Sequence, residues 1–254
     1  MATKKRGGLG APGREVELLW TPKARPSRGP KPALSIERIA RAAIDVADAE
    51  GLAAVSMERV ATSFGVTTMA LYRYVPGKSE LVALMAEVAI GAPPALDAVA
   101  GGWRPRLEAW ARQLWMRFVR HPWTLEATGR LRLMGPNELG WLDAALGALA
   151  ETGLGGRELL DAVLTVNGQV RIAAQFSIGA TRGRRTLRGD QWGAATAALL
   201  RDHPDRFPNL TAILASDAFG VQPRDPLAPG LRCVLDGVAA LVAERAPRKR
   251  RGAR

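Results

Sequence analysis

The sequence predicts an all-α protein in two helical parts, and three observations carry that expectation. From Leu34 onward apolar residues recur at three- and four-residue spacing, and no segment shows convincing period-two alternation. Ala92-Pro93-Pro94 and Gly101-Gly102 interrupt the periodic chain and divide it in two. The 254 residues, 47% apolar and 6% aromatic, are enough for one or two packed cores.

Residues 1–33 are rich in Gly, Pro and Lys/Arg, which predicts a flexible arm; its one apolar patch, Val16 to Trp20, is a candidate to dock on the body. Ser35 is the expected N-cap of the first helix, whose inner stripe is Ile36, Ile39, Ala40, Ala43 and Ala47 and whose end is Gly51. Ser56 should cap a second, shorter helix that buries Val60, Ala61 and Phe64 and stops at Gly65. A third begins at Thr67 or Thr68 and runs to about Tyr74. Pro76-Gly77 breaks it, and a fourth follows from Lys78 to about Ile90. Three short helices and a longer one, with a tight Gly-Val turn between the second and third, fit a helix-turn-helix unit. Beyond the boundary, helices are expected near 103–120, 123–133, 138–150, 157–178, 191–201, 210–216 and 231–245, with a basic loop over Thr181 to Gly189.

The formal net charge of +12 is unevenly placed. Residues 1–32 hold eight Lys/Arg against Glu15 and Glu17, a net of +6, and residues 245–254 hold six Arg/Lys and no acid, again +6. Everything between is neutral. Two basic tails serve either as solubilising ends or as attraction to a polyanion that fades with salt. Cys233 stands alone, and His121 and His203 lie far apart without ligand-spaced neighbours, so neither a disulfide framework nor a metal site is expected. No apolar run reaches the roughly 18 residues that cross a membrane, and MATKKRGG has no apolar segment behind it. The expectation is a cytoplasmic protein without cofactor.

The stretch TTMALYRYVPGK, residues 67–78, is unusual for either a core helix or a solvated loop. As the second helix of a helix-turn-helix it would lie in the DNA major groove. Thr67, Thr68, Met69, Tyr72 and Arg73 would point outward, and Ala70 and Leu71 inward. Hydroxyls can exchange hydrogen bonds with base edges, and a methionine can pack on a thymine methyl. Lys78 opens the next helix, where free amides already favour a phosphate. The alternative is that Tyr72 and Tyr74 staple this helix to the fourth.

Residues 35–85 resemble the DNA-binding domain of tetracycline-repressor-type (TetR family) transcriptional regulators. The carrying residues are Ile39, Ala42-Ala43, Glu50-Gly51-Leu52, Ser56-Met57, Val60-Ala61, Phe64-Gly65-Val66, Met69 to Val75 and Gly77-Lys78. The resemblance implies base or backbone contacts from Thr67, Thr68, Met69 and Arg73, and a phosphate grip from Tyr72, Tyr74 and Lys78. Residues 35–91 nonetheless hold five basic and seven acidic residues, so attraction to DNA must come from local placement and from the tails. Lys23 to Pro32, KARPSRGPKP, is a candidate minor-groove arm.

A looser likeness runs on through His121-Pro122-Trp123, Gly135 to Glu138 and Arg206-Phe207-Pro208 to the tetracycline-repressor-like C-terminal domain. It implies a homodimer on a palindromic operator of double-stranded DNA, most simply a repressor, released by a small-molecule effector. The expected layout is an arm over 1–33, a DNA-binding domain over 34–91, a ligand-binding and dimerisation domain over 95–245, and a basic tail over 246–254.

Leu231, Val234, Leu235, Val238, Leu241 and Val242 form one helical stripe, read either as a dimer face or as intrachain core. Asn167, Arg171 and Gln175 form a polar stripe on an apolar helix, and their partners are a ligand, the opposite subunit or nearby carboxylates. Trp110, Trp115, Trp123, Trp141 and Trp192 line a cavity for a flat apolar molecule or are plain core. His121 reads as a turn or capping residue.

No nucleophile–base pair, carboxylate pair or phosphate loop is present in the sequence, so an enzyme is not expected. A ligand-binding dimer without DNA binding is the other alternative, against which the Tyr72, Tyr74 and Lys78 set argues.

Overall fold

The computed structural model describes residues 17–20, 34–129, 132–182, 189–216 and 225–245. The expected arm apart from 17–20, the KARPSRGPKP segment, residues 183–188 of the basic loop and the C-terminal tail lie outside the described residues. Among the described residues there are helices and no strand. We number the α-helices α1 Ile36–Glu50, α2 Met57–Ser63, α3 Thr68–Tyr72, α4 Lys78–Ile90, α5 Trp103–Arg120, α6 Trp123–Ala127, α7 Pro136–Leu149, α8 Gly156–Arg182, α9 Gly189–Asp202, α10 Pro208–Ala212 and α11 Ala228–Arg245.

The first two caps form as their residue types dictate. The Ser35 hydroxyl accepts the Arg38 N–H at 3.2 Å and the Ser56 hydroxyl accepts the Arg59 N–H at 3.1 Å. Gly51 ends α1 at φ 90°, and Gly65 turns the chain between α2 and α3 at φ 64°, a region L side chains rarely adopt. The inner faces of α1 to α4 close one cluster around Ile39, Ala43, Val60, Leu71, Val75 and Leu81. Leu19, from the helical turn at 17–20, is buried in that same cluster, and the Trp20 indole N–H donates to the Met134 carbonyl at 3.2 Å. The apolar patch of the N-terminal region is thus a peg set where the two halves meet.

A second cluster forms where α5 packs on α7 and α8 and α11 lies along α8; Leu107, Trp110, Leu149, Val163, Val166, Val170, Leu231 and Leu235 are at its centre. Here the predicted dimer stripe is corrected. Leu231, Leu235 and Val238 are buried in their own chain, Val234 and Val242 pack against the same cluster, and only Leu241 is exposed. This stripe of α11 is used in covering α8.

Helix α6 is also shorter than its expected span of 123–133. It stops at Ala127, where the Arg171 guanidinium captures the Leu125 carbonyl at 2.6 Å and the Thr128 hydroxyl at 2.8 Å. A long-range donor takes carbonyls that a continuing helix would have used.

Candidate DNA interface and ligand cavity

Helix α3 stands on Leu71, which is fully buried, and turns its other residues outward. Met69 is 74% exposed and Tyr72 is 44% exposed, with Thr67, Arg73 and Lys78 also exposed and Thr68 half-buried. Two large apolar or aromatic side chains on one short exposed helix mark a contact surface rather than a solvated one. Thr67 is the N-cap of α3, its hydroxyl oxygen accepting the Ala70 N–H at 3.4 Å, which leaves its O–H free to donate outward. Tyr74 differs from its neighbours: it is half-buried and packs against the first cluster, as the stapling alternative foresaw for it.

The acidic surplus of this half is largely spent on internal partners. Glu37 pairs with Arg41 at 2.8 Å, and Glu50 takes the Arg59 fork. Asp48 and Glu87 face the second half of the molecule, as described below. Arg73 and Lys78 have no acidic partner among the described residues. Gly77 gives α4 no side-chain cap, so its first-turn amides lack a partner from the cap residue, and Lys78 opens that turn.

Two carboxylates fasten this half to the rest. Asp48 on α1 accepts the Trp123 indole N–H at 2.8 Å and lies 2.9 Å from His121 Nδ1. A carboxylate only accepts, so that nitrogen carries the proton. Glu87 on α4 is buried over the start of α7. Its Oε1 accepts the Asn137 N–H at 2.6 Å, its Oε2 accepts the Glu138 N–H at 3.3 Å, and its carbonyl accepts Asn137 Nδ2 at 3.1 Å. This is an N-cap supplied from another helix, set at the positive end of α7. A lone carboxylate in the apolar run LVALMAEVAI, with no base one turn away, was the signal for it in the sequence.

Burial pushes the Glu87 carboxyl above its ordinary value of 4.5, and the nearby Glu138 charge adds to this, while the two backbone N–H groups and Arg132 pull the other way. The folded chain therefore keeps this proton to higher pH than the unfolded chain does. Stability contributed by Glu87 falls as pH rises through the window just above 4.5 and grows as pH drops through it. Glu87→Gln should flatten that part of the pH profile of thermal unfolding just above pH 4.5. An unchanged profile would assign the slope to another group.

Behind Glu87 lies a cavity of about 390 Å³ between α4, α5, α7 and α8. Its apolar wall includes Ile90, Leu114, Phe118, Met134, Val163 and the Trp110–Trp141 pair, whose ring centroids are 6.2 Å apart. Both indole N–H groups are already used, Trp110 donating to the Trp141 carbonyl at 2.8 Å and Trp141 to the Gly91 carbonyl at 3.0 Å. The polar wall is Thr128, Arg132, Glu138, Asn167 and Arg171, with Arg132 and Glu138 paired to each other. Arg171 holds the α6 end described above and lies 5.3 Å from the centroid of the Phe118 ring; burial pushes its guanidinium pKa below the ordinary arginine value.

Of the residues expected in a pocket, Trp110, Trp141, Asn167 and Arg171 line this cavity. Two do not. Trp123 belongs to the first cluster, held by Asp48, because α6 faces α1 and α4. Gln175 is exposed, since two steps of four residues carry a side chain about 80° round an α-helix. Trp115 and Trp192 do not line the cavity either. No group of His, Cys, Asp and Glu suited to a metal occurs among the described residues. No helix among them is long and apolar enough to cross a membrane.

Comparison with known proteins resolves what kind of molecule carries this arrangement. Residues 39–85 match the profile of bacterial regulatory proteins of the tetR family, and residues 94–242 match the tetracyclin repressor-like C-terminal domain. The chain belongs to the TetR family. It is 40% identical over 243 residues to the HTH-type transcriptional repressor DrrR1 of Streptomyces coeruleorubidus, covering 94% of this chain and 89% of that one. Two solved structures share the fold. The Streptomyces coelicolor regulator SCO7222 superposes with a TM-score of 0.67 at 22% identity, over 82% of this chain and 99% of its own. ActR of Streptomyces coelicolor, solved in complex with actinorhodin, gives 0.69 at 23% identity, over 82% and 98%. This TetR-family chain is therefore a DNA-binding regulator of transcription with a helix-turn-helix in its N-terminal half.

Proposed function

We propose that the protein is a repressor that binds a palindromic operator as a homodimer and leaves it when a small molecule fills the cavity between α4, α5, α7 and α8. The observation that carries this reading is the shared wall. Ile90 of α4 lines the cavity, Gly91 is bonded to the cavity residue Trp141, and Glu87 sits on the helix that bears Trp141 and Glu138. Because α4 begins at Lys78, a ligand that displaces α7 moves the helix that follows α3 in the chain and shares its buried cluster. The 40% identical relative being a repressor supports the same sign of regulation.

In this reading Thr67, Thr68, Met69 and Arg73 meet base edges or the adjoining backbone, and Tyr72 and Lys78 hold phosphates. Tyr74 chiefly holds α3 in place. We take 34–91 as the DNA-binding part and 95–245 as the ligand-binding and dimerisation part; the two packed clusters support that division, with Leu19 and Trp123 packing across it. The dimer forms on the outer faces of α8 and α11, where Ile172 is 50% exposed, Phe176 64% and Leu241 41%. An apolar row of that kind on a single chain is matched by a second copy of itself. Phe176→Glu should convert the dimer to a monomer in light scattering. A dimer that survives it would place the contact elsewhere.

A mobility shift on DNA upstream of its own gene tests the whole reading, and no shift at low salt would sink it. Lys78→Ala should weaken binding to every sequence alike and lower the salt dependence by about one phosphate contact. A change of preference at one base pair would mean that Lys78 reads sequence.

A further inference from the structure

The cavity wall carries two polar groups whose needs the protein leaves open, and both lie on α8. Asn167 Oδ1 is buried and has no hydrogen-bond donor. Arg171, one turn further on, gives its guanidinium only to neutral acceptors, the Thr128 hydroxyl and the Leu125 carbonyl, and to the Phe118 ring face. No carboxylate answers its charge among the described residues. Among the described residues of the wall the other cation and anion cancel, Arg132 being paired with Glu138, and Arg171 leaves a net charge of +1. An unanswered acceptor and an unanswered cation, both at least partly buried, are each costly to keep. Apart from Thr128 and the Arg132–Glu138 pair, the described lining side chains are apolar, and the two tryptophans have committed their N–H groups and present ring faces.

We infer that the ligand is a flat aromatic molecule that brings an ionised oxygen to Arg171 and, about one helical turn away, an O–H or N–H donor to Asn167 Oδ1. Residues four apart on a helix have their Cβ atoms about 6 Å apart, so the two groups belong to one ring system rather than to opposite ends of a long chain. The Trp110 and Trp141 rings, packed on each other at 59°, supply one aromatic wall for it to lie against. A volume of about 390 Å³ suits a drug-sized molecule. This inference rests on the cavity being the effector site of the proposed repressor. It adds what that effector must look like. Among the described residues the other buried side-chain polar atom without a partner, Trp115 Nε1, is off the cavity wall and plays no part.

The test titrates the full chain with the hydroxy-2-naphthoate isomers, their methyl ethers, 2-naphthoate and 2-naphthamide, reading tryptophan fluorescence and heat. At least one hydroxy isomer should bind about tenfold or more tightly than its own methyl ether, because a buried acceptor discriminates against a ligand that lacks the donor. 2-Naphthoate should likewise bind more tightly than neutral 2-naphthamide. Asn167→Leu should erase the preference for the hydroxyl and raise or preserve the melting temperature of the free protein, since it removes an unpaired buried oxygen. Equal binding of hydroxy and methoxy compounds, no binding of any naphthoate, or a destabilised Asn167→Leu that keeps the hydroxyl preference would each overturn the inference. The mobility shift is run alongside without any naphthoate. A persistent shift with failed titrations removes this ligand class and leaves the repressor reading standing.

Discussion

Gly135→Ala is expected to destabilise the chain by about 2–4 kcal/mol, a large effect for one methyl group. The backbone at Gly135 is ordinary, with φ −77°, so the cause is space rather than conformation. A Cβ there would lie 2.3 Å from Glu87 Oε2 and 2.6 Å from its Cδ. Non-bonded atoms do not approach so closely, and the Glu87 carboxylate must move. It then abandons the N–H groups of Asn137 and Glu138 at the start of α7 while itself remaining buried. Chemical denaturation measures the loss. The same substitution made on a Glu87→Ala background should cost far less, because the clashing group has gone. Equal costs in the two backgrounds would show that Glu87 is not what Gly135 accommodates. Under the proposed function the variant should also respond less to effector, since the α4–α7 fastening is what joins cavity to DNA.

Arg73→Ala is expected to weaken operator binding by about 1–3 kcal/mol, roughly five- to 150-fold, and to relax sequence preference at one position of each half-site. The side chain is exposed at the end of α3 and no acid among the described residues competes for it. A bidentate guanidinium contact with a guanine edge is the commonest direct reading in the major groove. Binding-site selection on the variant settles the matter: relaxed preference at one base pair is the expected outcome, and unchanged preference would reassign Arg73 to the backbone. The contrast with Lys78→Ala, uniform across sequences, separates reading from gripping.

Local signals were legible wherever a single residue type decides a backbone outcome. Ser35 and Ser56 cap their helices, Gly51 and Gly65 take positive φ, and the inner faces of α1 and α2 follow from spacing alone. Faces on longer helices were harder to read. Asn167, Arg171 and Gln175 look like one stripe at four-residue spacing, yet helical drift puts the third in solvent. The stripe on α11 is apolar whichever surface it covers, and periodicity carries no information about whether that surface belongs to the same chain. Trp123 was one tryptophan among several until Asp48, 75 residues away, was seen to hold it.

The sequence by itself determined the all-helical class, the order and caps of the first helices, and the outward face of TTMALYRYVPGK, because these depend on neighbours within one or two turns. Its family membership rests on the same local record. Only the tertiary structure decided which polar residues act together. Glu87 meets α7 across 50 residues, Arg171 ends α6 across 46, and Asp48 holds Trp123 across 75. Such contacts are made by residues whose own surroundings announce only that a partner is needed. Long-range packing supplies the partner.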